Sequence, residues 1–492
     1  MKDTSGGHSN IPSKVFKVHS NLLSAPLSVL INQCIGSASF PDCLKIAQVI
    51  PLFKSKNKLD VRNFRPISML PILAKIFEKF IYDQLIEFVE LNGLLCHQQS
   101  GFRRNSSTSI SIAKLLDKVI AGADEGSFGL CVFLDLQKAF DMVDHEILVQ
   151  KLEYYGVRGQ ALDLFKSYLA NRQLFVKLNN VSSKLSIISR GVPQGSTLSG
   201  LLFLLFINDL VNSSNKLFFN LFADDTSLYL KDRNLNALFE VMNDELVKVS
   251  NWLSANKLSL NVSKTTYILF KGKKQIRNTP QLYIFGNPIS KVDSTKFLGI
   301  LIDENLNWKP QAKFVIGKLS RMIGVLSKVG ENLNLSTLRT LYFSFIQPSL
   351  QYGVNFWFPV SKDLQNKIFR LQKKAVRIIS RANFGAHTNP LFSRNKILKL
   401  EDLYYLETCK FIHQEVNFCH NFNLVRQSSL HSYSTRFNEN LIPRNFRTKF
   451  GSNFILCRGV NNYNNLCNEI KNLDSMDKFK CCLKLLLSDY GN

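Results

Sequence analysis

The sequence predicts an α+β fold assembled from several subdomains, and three observations carry that prediction. A run of apolar residues, Leu130 to Leu134, stops abruptly at Asp135, as a buried central strand with a polar exit does. Leu217 to Leu230 reads as two apolar, β-rich arms around Ala223-Asp224-Asp225-Thr226, a hairpin with two acids at its tip. Around these lie segments with the helical apolar period, and 492 residues are too many for one ordinary core.

Taken in order, a polar start gives way to a helical stretch, Asn21 to Cys34. Ile46 to Phe53 is a short strand that enters a basic turn, Lys54 to Lys58. Ile72 to Leu91 carries apolar residues at Ile72, Ile76, Phe80 and Leu85, a helical period, and Asn92-Gly93 stops it. Glu146 to Tyr155 and Ala161 to Leu169 are helical. Gln173 to Leu178 and Leu185 to Ser189 form a strand pair, and Gly191 to Gln194 is a loop leading into a helix from about Leu198. Asn234 to Asn256 is helical, and Tyr267 to Phe270, Leu282 to Phe285 and Phe297 to Ile302 are short strands. After Pro310 the chain turns helical and basic, and Leu364 to Ile379 is an amphipathic helix with a cationic face.

With 45% apolar residues the chain is no disordered segment. Its net charge of +25, from 62 basic and 37 acidic residues, calls for a polyanionic partner, because Lys and Arg displace counterions from phosphates. The excess is uneven: from Glu304 to Asn492 there are 27 Lys and Arg against 12 Asp and Glu, so the back of the chain is the better grip on a nucleic-acid backbone. Ten Cys include no CxxC pair, which points to reduced thiols and an intracellular protein. Cys409, His413, Cys419 and His420 cluster in sequence without the spacing of a zinc knuckle. The first twenty residues have no apolar core of a signal peptide, and the longest apolar run, Leu201 to Ile207, is far short of a membrane span, so no membrane partner is expected. The sequence does not separate nucleus from cytoplasm.

A lone strand-end Asp, or a lone Asp-Asp pair, is ordinarily a turn or cap residue. If the strands ending at Asp135 and bearing Asp224 and Asp225 are neighbours, however, three carboxylates converge at one sheet edge and repel each other unless cations neutralise them. Mg²⁺ prefers such oxygen ligands and keeps positions open for water and phosphate. Two ions about 4 Å apart activate an attacking hydroxyl and stabilise a leaving pyrophosphate.

The blocks FLDLQKAFDMVDH (Phe133 to His145), RGVPQGSTLSGLLF (Arg190 to Phe203) and LFADDTSLYL (Leu221 to Leu230) resemble the reverse transcriptase family in kind, order and spacing. Flanking blocks agree: IPLFKSKNKLDVRNFRPISML (Ile50 to Leu70), QSGFR (Gln99 to Arg103), NKLSLNVSKT (Asn256 to Thr265) and FLGILID (Phe297 to Asp303). Singly these are weak; seven in sequence are specific. The stretches from Ser39 to Lys58 and from His387 to Ile412 are similar to non-LTR retrotransposons of the jockey or CR1 type.

The resemblance implies a right-hand polymerase with fingers, an antiparallel palm and a mainly helical thumb. It implies an RNA-directed DNA polymerase that joins dNTPs to a primer 3′-hydroxyl on an RNA template, with a DNA primer or target DNA as further partner. Asp135, Asp224 and Asp225 would be catalytic and would hold two Mg²⁺ ions. Phe140 would be the gate against a ribose 2′-hydroxyl. Gln194 and Gly195 would meet the nucleotide, with the following helix start favouring anions. Arg65 would reach the triphosphate, with Lys54 and Arg62 as weaker candidates, because the planar guanidinium binds phosphate in two places. Arg103 would support the template, Lys264 would approach the leaving pyrophosphate, and Phe297-Leu298-Gly299 would form the turn that grips the primer. The expected organisation is an N-terminal extension (1–34), fingers and palm (35–303), a basic helical thumb (304–400) and a C-terminal region of unassigned role (401–492). About 35 residues before the fingers hold no endonuclease, so polymerisation without target nicking is expected. A catalytically inactive nucleic-acid-binding relic and an intron-maturase-like enzyme remain the alternatives, and oligomeric state is open.

Overall fold

The computed structural model describes residues 11–54, 57–179, 181–272, 274, 276, 278–429 and 439–489. The polar start at 1–10 and positions 55 and 56 of the basic turn lie outside the described residues, and so does the side chain of Arg62.

Two five-stranded sheets, two small two-stranded sheets and a helical mass make up the described residues. The strands are β1 (Ile46–Phe53), β2 (Phe64–Met69), β3 (Phe128–Leu134), β4 (Gln173–Leu178), β5 (Val181–Ser182), β6 (Ser186–Ile187), β7 (Phe218–Phe222), β8 (Asp225–Asp232), β9 (Thr266–Phe270), β10 (Tyr283–Ile284), β11 (Asn287–Pro288), β12 (Ser290–Lys291), β13 (Ser294–Phe297) and β14 (Ile300–Asp303). One five-stranded sheet has the order β2-β1-β4-β5, with β6 also on β4, and β1 runs parallel to β4. The other has the order β12-β9-β3-β8-β7, antiparallel except for β12 on β9. The two small sheets are β10-β11 and β13-β14.

The central strand β3 is apolar throughout because both of its faces are covered. Leu130, Val132 and Leu134 pack with the helices Ile72–Leu91, Ser199–Ile207 and Leu235–Ala255. Cys131 and Phe133, pointing the other way, pack with the helix Thr108–Asp124 and the C-terminal helices. Each fully buried apolar side chain of this size contributes about 1.5–3 kcal/mol. The sheet edge is thereby fixed between two cores, which is what a site at the strand ends requires.

Local signals set the helix ends. The Ser107 hydroxyl accepts from Ile110 N, Asp144 from Glu146 N and Ile147 N, and Asn234 from Asn236 N and Ala237 N, each satisfying orphan first-turn donors. Asn92-Gly93 ends the helix Ile72–Leu91, with Gly93 at φ +59. Two expectations need correction. Phe297 to Ile302 is no single strand: Leu298 (φ 45) and Gly299 (φ 86) turn the chain between β13 and β14. The helix Thr108–Asp124 has no counterpart in the sequence reading. Its Ile112, Leu115, Leu116, Val119 and Ile120 keep the helical period, and that stripe packs between the sheet and the C-terminal helices.

From Lys309 onward the chain is helical, led by Lys309–Val329 and Lys362–Ile379, and the buried residues of 306–483 join one continuous core. His413 is fully buried there, stacked on Phe479 at 3.9 Å and hydrogen-bonded to Tyr463 and Asn417. No helix among the described residues is long and apolar enough to cross a membrane.

Candidate active site

The acids meet because of strand register. Leu134 pairs with Thr226, so Asp135 leaves β3 opposite Asp225, the first residue of β8. On the other side β9 pairs up to Phe133–Thr266, and Asp135 N donates to Thr265 Oγ1 at 3.5 Å while its carbonyl accepts from Asn261 N at 2.8 Å. Phe222 pairs with Asp225 across the two-residue turn Ala223-Asp224. The three carboxylates, about ninety positions apart in the chain, therefore share one sheet edge.

Their charges act on one another. Burial pushes the Asp224 carboxyl up, and Asp135 adds to it, opposed by a backbone hydrogen bond and by Arg65 and Lys54. Solvent reaches Asp225, yet the surrounding chain desolvates it and Asp224 and Asp135 repel its charge, so it is pushed up to about 6 against the pull of Lys54 and Arg65. Arg65 on β2 and Lys54 just after β1 thus lie within electrostatic reach of the acids from the other sheet. Lys264 Nζ lies 3.5 Å from Asp135 Oδ2. Both side chains are about half exposed, and such a pair is worth about 0–1 kcal/mol, so it gives way readily to a ligand. Among the described residues no three His, Cys, Asp or Glu side chains are gathered closely enough to hold a metal as they stand. The donor set nonetheless fits Mg²⁺: three oxygen ligands whose mutual repulsion a cation relieves.

Sequence reasoning missed what holds the hairpin. Ala223 sits at φ 54, and its N–H donates to Gln99 Oε1 at 3.0 Å; Gly101 N donates to the same oxygen at 2.7 Å. Ser100 N to Leu221 O (2.8 Å) and Leu221 N to Gln98 O (3.0 Å) complete the seam. A Cβ on Gly101 would come within 2.3 Å of Ala223 N, so only glycine lets the QSGFR segment lie this close. Arg103 in that segment turns inward, donating to the Cys96 carbonyl at 2.9 Å, which ties it to its own loop.

Phe140 is half-buried, stacked on Phe203 at 4.5 Å and edge-on to Phe102 at 6.2 Å. Gln194 donates to Asp141 Oδ1 at 2.9 Å, and its carbonyl accepts from Ser68 N of β2 at 2.8 Å. Gly195, at φ +125, would place a Cβ 2.6 Å from Ser68 O, so the glycine is required by the docking of this loop onto the other sheet. The helix start beyond it is already served. Thr197 N donates to Glu78 Oε2 at 2.9 Å, and the Ser196 hydroxyl accepts from Leu198 N (3.1 Å) and Ser199 N (3.3 Å). These donors are not free for a substrate anion. Glu78 is fully buried and also accepts from the Tyr168 hydroxyl at 2.9 Å; burial pushes its carboxyl up despite Arg172. Gly299 packs against Tyr352, whose hydroxyl donates to Leu298 O at 2.5 Å, pinning the turn to the helical region.

Residues 54–302 match the family model for reverse transcriptase (RNA-dependent DNA polymerase), half of the chain, and the chain belongs to that family. Its relatives include polymerases of Drosophila non-LTR retrotransposons. It is 25% identical over 410 residues to the "Probable RNA-directed DNA polymerase from transposon X-element" of Drosophila melanogaster, covering 80% of this chain and 44% of the relative. It is 27% identical over 391 residues to the RNA-directed DNA polymerase from mobile element jockey of the same organism, covering 76% and 42%. The chain thus spans less than half the length of these relatives. Among solved structures, an apo telomerase from Candida tropicalis aligns with a TM-score of 0.41 at 11% identity, over 72% of this chain and 61% of that one. Members of the family are nucleotidyltransferases that generally need a divalent metal.

Proposed function

We propose that this chain is the RNA-directed DNA polymerase of a non-LTR retrotransposon, extending a DNA primer on an RNA template with dNTPs. The observation that carries this reading is the register that brings Asp135 beside Asp225 and Asp224 at one sheet edge. Residues 35–303 act as fingers and palm and 304–400 as the thumb. The three aspartates would hold two Mg²⁺ ions, which would supply positive charge to activate the primer hydroxyl and stabilise the leaving pyrophosphate.

The chain's own groups do the rest. Arg65 and Lys54 neutralise the triphosphate from the finger sheet, which their electrostatic reach to the acids supports. Lys264 leaves Asp135 as the site fills and turns its ammonium to the departing pyrophosphate. Phe140, held by Phe203 and Phe102, excludes a 2′-hydroxyl by overlap. Gly195 locks its loop to Ser68 and so fixes Gln194, braced by Asp141, beside the incoming nucleotide.

Primer extension on an RNA template with Mg²⁺ and dNTPs tests the proposal, with Asp224→Asn as control. Extension by the unaltered chain and none by the variant supports it. Salt-dependent binding without extension would favour the inactive relic.

A further inference from the structure

The C-terminal region closes a second cavity, remote from the acids. Its walls come from the helix Thr108–Asp124, the loop 305–309, the segment 355–365 and the C-terminal stretch 449–458. Asp124 Oδ1 accepts from Thr448 N at 2.9 Å and from Arg447 N at 2.6 Å, and Arg444 pairs with Asp117, so the C-terminal stretch is clamped to the palm helix. Asp124 lies at the end of that helix nearest the start of β3, whereas Asp135 follows the other end of that strand. The cavity measures about 520 Å³, within the range of about 300–1,000 Å³ usual for ligand pockets.

We propose that this cavity is a second binding site for single-stranded nucleic acid, taking a base and its phosphates. Lys309, Lys362, Lys449 and Arg458 line it and no carboxylate does; Lys362 pairs at 4.0 Å with Glu401 outside the lining, while among the described residues the other three have no carboxylate within ion-pair distance. Trp308, buried and at φ 60, and Phe450 supply aromatic surface for stacking. Asn355 is only 5% exposed and lines the cavity, and its side-chain amide has no hydrogen-bond partner among the described residues. That amide is therefore free to hydrogen-bond a polar ligand in the cavity. Four cations, three of them unpaired, with aromatic rings and a free amide together fit a nucleotide better than an apolar ligand or a basic peptide. The site rests on the polymerase reading only in that the protein meets nucleic acid.

The test is fluorescence anisotropy with labelled twelve-nucleotide oligo(U) and oligo(dT), beside extension on a short pre-annealed RNA–DNA hybrid. The double variant Lys449→Gln/Arg458→Gln is expected to bind the oligonucleotides at least tenfold more weakly. It should also flatten the salt dependence of log Kd by about 1.4, two cations at about 0.7 each. Asn355→Leu, close in shape, is expected to weaken binding severalfold with the salt slope unchanged. Hybrid extension should stay as in the unaltered chain for both, so loss of extension in every form is a failure of the polymerase reading alone. A stronger effect on oligo(U) than oligo(dT) identifies RNA as the occupant, and equal effects identify either strand. Unchanged affinity and salt slope in the double variant, whose altered side chains are exposed and whose folding is checked by its melting midpoint, would overturn the site.

Discussion

Gln99 holds the acid hairpin, and removing it isolates what that support is worth. Its Oε1 is the acceptor for two backbone donors, Ala223 N and Gly101 N, in a residue only 2% exposed. In Gln99→Ala both N–H groups lose their partner, at about 1–3 kcal/mol each, or about 2–6 kcal/mol in all. The loss falls on Ala223, whose left-handed backbone is itself costly to hold and which adjoins Asp224. Since 1.4 kcal/mol is a tenfold change, amide exchange at 221–226 should quicken by about thirtyfold even at the lower end. kcat for extension should fall with little change in KM for dNTP, because the acids move while the finger cations stay. Gln99→Met, close in shape but without the acceptor, should lose the protection as Gln99→Ala does, which separates the hydrogen bonds from the side-chain volume. Exchange at 221–226 and kcat both unaltered in Gln99→Ala would refute the reasoning.

Phe140→Ala should admit ribonucleotides, read as a fall of at least tenfold in discrimination between dNTP and NTP; unchanged sugar selection would count against the gate. Gly195→Ala forces a Cβ to 2.6 Å from Ser68 O at φ +125, a strain of about 1–3 kcal/mol before any clash. The thermal midpoint should drop and KM for dNTP rise as the loop leaves β2. Burial pushes the His413 imidazole below its ordinary 6.5, so the fold favours the neutral ring. Its contribution is complete above about pH 6.5 and is lost as pH falls below it; melting between pH 7.5 and 5.5 should drop in the unaltered chain and drop less in His413→Gln.

The sheet edge was legible because its signals are local. Leu130 to Leu134 had to be a two-sided strand, and an Asp-Asp turn between β-rich arms had to be a hairpin, while only the resemblance supplied their adjacency. Partners that act across the fold were not legible. Glu78 looks like an ordinary charge on an amphipathic helix, yet it is buried and serves Thr197 and Tyr168, more than eighty positions away. Gln99 lay inside a recognised block, but nothing local marks its oxygen as the hairpin's acceptor. Gly195 was read for a ligand and is used against Ser68, because a sequence signals the need for a bare backbone without naming what approaches it. Helix Thr108–Asp124 is a different case: Ile112, Leu115, Leu116, Val119 and Ile120 carry a plain helical period behind the Ser107 cap, so that element was legible and is simply absent from the sequence reading.

Cleavage by bound iron tests the shared metal centre most directly. Fe²⁺ put in place of Mg²⁺, with ascorbate and peroxide, cuts the backbone beside the ion. The expected result is two groups of cuts, one near residue 135 and one near residues 224 and 225, both suppressed by excess Mg²⁺ and both absent in Asp224→Asn. Cuts at only one of these segments, or cuts that persist in the variant, would contradict a centre built jointly from strands so far apart in the chain.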